Sequence, residues 1–110
     1  MNLALGVLEE MILLILLMKE ETYGVEIAKE YHARLDQQIS IPAIHVVLKR
    51  LDKKGLVTSR LGEPTAERGG RSKRLYSATN KGYAAARELQ DKRAAMWESI
   101  PNIKLTFSGT

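Results

Sequence analysis

Three cations, Lys49, Arg50 and Lys53, follow one another at helical spacing inside Ser40-Ile-Pro-Ala-Ile-His-Val-Val-Leu-Lys-Arg-Leu-Asp-Lys-Lys-Gly55. Four more, Arg68, Arg71, Lys73 and Arg74, cluster some twenty residues later around Gly69-Gly70. Side chains of this type pair with phosphate oxygens. Upstream of the first cluster stand Pro42, Ala43, His45 and Val46, which are small, apolar or singly polar. Such residues suit the edges of bases, and an apolar one suits a thymine methyl. The plain alternative is a surface helix with solvated lysines.

Charge distribution favours the first reading. The chain has 110 residues and a net charge of +4. Residues 1–36 hold three Lys/Arg against seven Asp/Glu, whereas Lys49 to Arg74 hold nine cations against three acids. A local excess of this kind marks a polyanion binder. Anionic lipid is also a polyanion, but the segment lacks the aromatic and leucine face of an interfacial helix.

Catalysis is not expected. No Ser/His/Asp set, phosphate-binding glycine loop or pair of carboxylates falls at useful spacing. Gly69-Gly70 does not precede a helix, as a nucleotide loop requires. His32 and His45 have no carboxylate at ligand spacing, and there is no cysteine. Neither a metal, a cofactor nor a disulfide is therefore expected, and the cysteine count is compatible with the cytoplasm. A histidine such as His45 can also sense pH, although such a residue more often makes one ordinary hydrogen bond. The N-terminus carries no basic run before its apolar stretch, so no signal peptide is expected. The apolar run Met11 to Met18 is shorter than the ~20 residues that span a bilayer, so no membrane partner is expected.

The elements that would position these residues are legible in order. Residues 3–19 predict a helix with Leu5, Leu8, Ile12, Ile15 and Leu16 on one stripe. Met11, Leu14, Leu17 and Met18 widen that stripe nearly all round, which suggests a partner helix from a second copy. Tyr23-Gly24 opens a second helix to about Leu35, with Val25, Ile27, Ala28, Tyr31 and Leu35 as its apolar side. Residues 36–39 turn into the helix of the first cluster. Ser40 is its cap, Pro42 sits in its first turn and Gly55 ends it. Ile44, Val47, Leu48 and Leu51 make its buried stripe. Then the period changes to two. Residues 56–61 and 74–78 predict strands, and residues 62–73 a long hairpin loop. Thr79 caps a last helix, 80–98, with Tyr83, Ala84, Ala86, Leu89, Ala94, Met96 and Trp97 apolar. A 99–110 tail follows.

The expected fold is therefore mainly α with a small β-hairpin: a winged helix-turn-helix over 1–78 and a C-terminal dimerisation helix over 79–98. Residues Tyr23, Ser40, Pro42, Ala43, His45, Val46, Lys49, Arg50, Lys53, Arg68, Arg71, Lys73 and Arg74 form the expected double-stranded DNA contact set.

The chain resembles the PadR family of winged-helix transcriptional regulators from about Leu5 to Leu89. The resemblance rests on Tyr23-Gly24, on Leu48-Lys-Arg-Leu51 with Lys54-Gly55-Leu56-Val57, and on Tyr76 with Thr79-x-x-Gly82. The third helix departs from the commonest family pattern, with His45 in place of a tyrosine. It is closer to a subgroup that has a histidine there and a Gly-Glu-x-Thr…Arg-Gly-Gly-Arg wing, matched by Gly62–Thr65 and Arg68–Arg71. The resemblance implies a homodimeric repressor whose first and last helices make the dimer contact. Some small members bind flat aromatic compounds between their C-terminal helices on a tryptophan. Trp97 lies in the corresponding region, as ligand platform or as dimer anchor. A winged helix used only for protein contacts is the remaining alternative, and it predicts weak, salt-insensitive contact with DNA.

Overall fold

The computed structural model describes residues 5–63 and 73–101. Four helices and one hairpin follow in the order α1 (Val7–Leu17), α2 (Gly24–Leu35), α3 (Ile41–Lys53), β1 (Val57–Leu61), β2 (Arg74–Ala78) and α4 (Asn80–Glu98). This is the winged helix-turn-helix, α with a small antiparallel hairpin, that the sequence predicts.

The first helix is shorter than expected. Gly6 is extended and Glu9 Oε1 accepts its backbone N–H at 2.9 Å, so the helix begins at Val7. At the other end, Met18 N–H is shared between the carbonyls of Leu14 and Ile15, and the chain leaves the helix there. Ile12, Leu13, Ile15 and Leu16 are buried at the centre of the core, while Leu8, Met11, Leu14 and Leu17 are only partly covered. This helix touches α2, α3, α4 and β2, so the other elements pack around it.

The second helix is narrower in its apolar side than expected. Ile27 and Tyr31, one turn apart, are buried, but Val25 and Leu35 are exposed. Val25 stands roughly 160° from Ile27 at ~100° per residue, so it faces away from the core. Asp36 ends the helix in the left-handed conformation, φ 53, and its N–H reaches His32 O at 2.9 Å. An aspartate tolerates that conformation better than most residues.

The third helix forms as its signals predict. Ser40 Oγ accepts the Ala43 N–H at 3.2 Å, and Gly55, at φ 77, turns the chain out. Ile44, Val47, Leu48 and Leu51 are buried as one stripe. Full burial of each such side chain stabilises by about 1.5–3 kcal/mol, before the entropy of ordering is set against it.

The hairpin pairs Val57 with Ala78 and Leu61 with Arg74. It has an unexpected third member. Thr22, in the α1–α2 connection, exchanges both backbone hydrogen bonds with Tyr76, at 3.0 and 2.7 Å. Arg60 adds a forked contact to Glu21 at 2.6 and 2.8 Å. The hairpin base is thereby stitched to the front of α2.

The last helix begins on the turn after α3. Thr79 N–H donates to Leu56 O, Thr79 Oγ1 donates to Gly55 O at 2.8 Å, and Gly82 N–H donates to Thr79 Oγ1 at 3.0 Å. Only Gly82, Ala85 and Ala86 of α4 are buried, and Leu89 is half-covered. From Gln90 to Glu98 every residue is exposed, Met96 and Trp97 by more than two thirds. The distal half of α4 is an arm that one chain does not cover.

Candidate nucleic-acid interface

The buried stripe of α3 fixes what its opposite side shows. Pro42, His45, Val46, Lys49, Arg50 and Lys53 are exposed, and Ala43 is half-covered. Val46 is 51% exposed, while Val47 beside it is buried. Ser40 is exposed but its Oγ is occupied as the helix cap. The outward side is thus apolar at the N-terminal turns and cationic at the C-terminal ones.

The hairpin brings its cations to the same side. Lys73 Nζ stands 4.0 Å from the centre of the Tyr23 ring, a cation–π contact. Arg74 Nη1 donates to Ser59 Oγ at 3.0 Å across the strand pair. His45 joins the two halves. Its ring is 6.5 Å from that of Tyr76, and a Cβ on Gly24 would lie 3.3 Å from its Nε2. The imidazole is therefore held between the start of α2 and the strand β2.

Two clefts open on either side of His45. One, of about 330 Å³, lies between α3 and the hairpin and is lined by His45, Lys49, Asp52, Ser59, Arg74 and Tyr76. The other, of about 160 Å³, is lined by Tyr23, Gly24, Val25, Ile41, His45, Lys73 and Arg74. Burial raises the Tyr76 phenol above its ordinary value, Arg74 pulls it down, and Asp52 adds to the rise. Tyr76 stays neutral and serves as a wall and a hydrogen-bonding phenol.

Of the expected contact residues, Tyr23, Pro42, Ala43, His45, Val46, Lys49, Lys73 and Arg74 converge on this surface. Arg50 and Lys53 continue it along the helix. Arg68 and Arg71 lie outside the described residues. Trp97 is remote: it is 71% exposed on the α4 arm. The apolar groove that the same protomer does form, about 520 Å³ between α1 and α4, is lined by Leu14, Leu17, Met18, Tyr83, Ala86, Arg87 and Gln90.

Sequence reasoning missed the Thr22–Tyr76 bridge and the partners of Glu9 and Glu10. Both glutamates are buried on α1. Glu9 Oε2 accepts from Lys54 Nζ at 3.0 Å, and Arg93 Nη2 stands 2.6 Å from Glu10 Oε1. Burial pushes the Glu9 carboxyl up, but the Gly6 N–H and the Lys54 ammonium outweigh it and leave it below the usual glutamate value. Two adjacent acids opening an apolar run were a signal; their partners, far away in sequence, were not.

No helix among the described residues is long and apolar enough to cross a membrane. No curated protein matches the sequence. Solved structures do. A PadR-like transcription factor from Bacteroides fragilis is 26% identical with a TM-score of 0.76, over 89% of this chain and 90% of that one. A PadR-like transcriptional regulator from Bacillus cereus is 25% identical with a TM-score of 0.73, over 94% and 95%. A PadR family transcription regulator from Clostridium difficile is 26% identical with a TM-score of 0.70, over 91% and 99%. The family of PadR-like transcriptional regulators matches residues 12–88, which run from the middle of α1 through the first half of α4 and take in the whole surface around His45. On that match, the chain belongs to the PadR-like family of transcriptional regulators.

Proposed function

We propose that this regulator acts by binding double-stranded DNA as a homodimer, with α3 in the major groove and the hairpin on the neighbouring backbone. The observation that carries the reading is the placement of an exposed Val46 and His45 beside Lys49, with Lys73 and Arg74 of the hairpin on the same side. Apolar and singly polar groups read base edges, while the cations around them seat phosphates. Ser40, Pro42 and Ala43 stand nearest the bases, Arg50 and Lys53 nearest the backbone, and Tyr23 at the positive start of α2 donates its phenol O–H to a phosphate. Arg68 and Arg71 belong to the same proposed contact set on their residue type and the local excess of cations.

The dimer uses α1 and α4. Support comes from the half-covered Leu14 and Leu17 and from the exposed Met96 and Trp97, which a second copy would bury. A two-fold axis then demands an inverted repeat with half-sites one or two helical turns apart. Bound there, the protein represses by occupying its operator, in the cytoplasm and without catalysis. Selection of bound duplexes from a random library, at stated salt, tests the whole reading. An enriched inverted repeat supports it, and no enrichment at any ionic strength overturns it.

A second reading concerns an effector. The α1–α4 groove is apolar and large enough for a small flat molecule. A compound bound there, against Trp97 of a second copy, would favour one dimer geometry and so shift operator affinity. Quenching of Trp97, the single tryptophan, by planar cationic drugs tests it.

A further inference from the structure

Among the described residues, and apart from the buried Ala85 and Ala86, polar contacts tie α4 to the body at two places. One is the turn at Gly55 and Leu56, where Thr79 and Gly82 hold its first residues. The other is the ion pair between Arg93 Nη2 and Glu10 Oε1, 2.6 Å apart. Arg93 sits roughly 17 Å along the axis from Gly82, at ~1.5 Å per residue. Among the described residues, this pair is the polar tie between the exposed half of α4 and another element.

Glu10 is an expensive way to hold a helix. Its side chain is 2% exposed, and among the described residues Oε1 accepts no hydrogen bond of good geometry although the guanidinium is close. Burying a carboxylate is costly even when it is paired, and a well-packed apolar side chain in its place is often no less stable. What the ion pair supplies that a leucine would not is a direction. The neighbouring Glu9 pairs with Lys54, the C-cap residue that directly follows α3. Adjacent carboxylates on α1 therefore reference two elements to one another: the end of the helix that faces DNA and the arm that leaves the body.

We infer that Glu10 and Arg93 are a positioning pair: they set the direction of the α4 arm relative to α3, and with it the half-site spacing that a dimer of this chain accepts. The inference rests on the dimeric operator reading above. The leverage is adequate. A shift of ~1 Å at Arg93 tilts the arm by roughly 3° over that ~17 Å. Carried over the ~34 Å between half-sites, the tilt displaces the second α3 by roughly 2 Å. That is more than half of the ~3.4 Å rise of one base pair.

The test compares wild type with Glu10→Gln, Arg93→Gln and the conservative Arg93→Lys. Each is titrated with duplexes carrying the selected inverted repeat at stepped half-site separations, and with a duplex carrying one half-site. Wild type should prefer one separation by at least fivefold over its neighbours. Arg93→Gln should flatten that preference to within twofold while keeping its single half-site affinity, and Arg93→Lys should restore it. Arg93→Gln leaves the buried Glu10 carboxylate without its partner. The double variant Glu10→Gln/Arg93→Gln, which buries no unpaired charge, is therefore measured beside it and should show the same flattened preference. It is checked for folding by circular dichroism with the others. A second measurement needs no DNA. The chain has no cysteine, so Gln37→Cys places one spin label on each protomer. The distance between the two labels should be narrowly distributed in wild type and broad in Arg93→Gln. An unchanged spacing preference, or an unchanged distance distribution in a dimeric Arg93→Gln, overturns the inference, as does a strictly monomeric wild type. Broadening of the distances together with a wild type that prefers no duplex sinks the operator reading alone and leaves the positioning role standing.

Discussion

The α-carbon of Gly82 faces the carbonyl oxygen of Leu56 so closely that a methyl group on it would occupy the oxygen's place. The contact lets the first turn of α4 lie on the backbone of the turn after α3. Gly82→Ala must push the two apart and break the bonds of Thr79 to Gly55 and Leu56. A loss of about 3 kcal/mol is expected, in the upper range for overpacked sites. Urea denaturation followed by circular dichroism measures it. Thr79→Ala, which removes the cap and the hydroxyl bond to Gly55 O but adds no bulk, should cost about 1–2 kcal/mol.

Acid should loosen the α1–α3 contact. The Glu9 carboxyl lies below its ordinary value when folded, so its ionised form stabilises the fold. The contribution is complete above the unfolded value of ~4.3 and fades as pH falls through the lower folded value. Glu9→Gln should therefore be less stable than wild type at neutral pH. The gap should close below about pH 4. Melting curves of both proteins across pH 3–7 check the sign.

Two substitutions on α3 should separate base reading from phosphate seating. His45→Ala should change which bases are preferred at one position of each half-site, by about 1–3 kcal/mol of discrimination. Lys49→Ala should weaken all sequences alike and reduce the salt slope by about 2, one contact from each protomer. Repeating the duplex selection with each variant distinguishes the outcomes. Unchanged base preference in His45→Ala would mean that α3 is turned differently in the groove.

Salt dependence gives an independent count. With about six phosphates neutralised per dimer, log affinity should fall against log salt with a slope near −5. Titrations from 50 to 200 mM salt are sufficient. A flat line would identify a module for protein contacts instead.

Trp97→Ala should move the monomer–dimer equilibrium at least tenfold towards monomer, because a large exposed aromatic on an uncovered arm is the type of residue that anchors interfaces. Sedimentation over a concentration series reads the shift.

Local signals carried most of the architecture. Ser40, Gly55 and Thr79 are caps or exits whose chemistry acts within a few residues, and each helix or turn falls where they place it. The stripe of Ile44, Val47, Leu48 and Leu51 was equally legible, because a 3.6-residue period needs no partner to be seen. Long-range pairings were not legible. Nothing near Glu10 points to Arg93, and nothing near Thr22 points to Tyr76. Val25 shows the limit of composition: it counts as apolar, but helix geometry turns it outward. Of the contact surface, residue types and helix phase were readable. The seating of His45 between Gly24 and Tyr76 depends on tertiary approach, which only the folded chain supplies.

The reciprocal bonds between Thr22 and Tyr76 give the protein a native reporter. Tyr76 borders His45 on one side and shares its amide hydrogen with Thr22 on the other. Bound DNA that steadies the hairpin steadies those two amides with it, beside the Arg60–Glu21 contact. Their deuterium uptake should therefore slow on operator binding even where no side chain changes its contacts, and it should do so without a label of any kind.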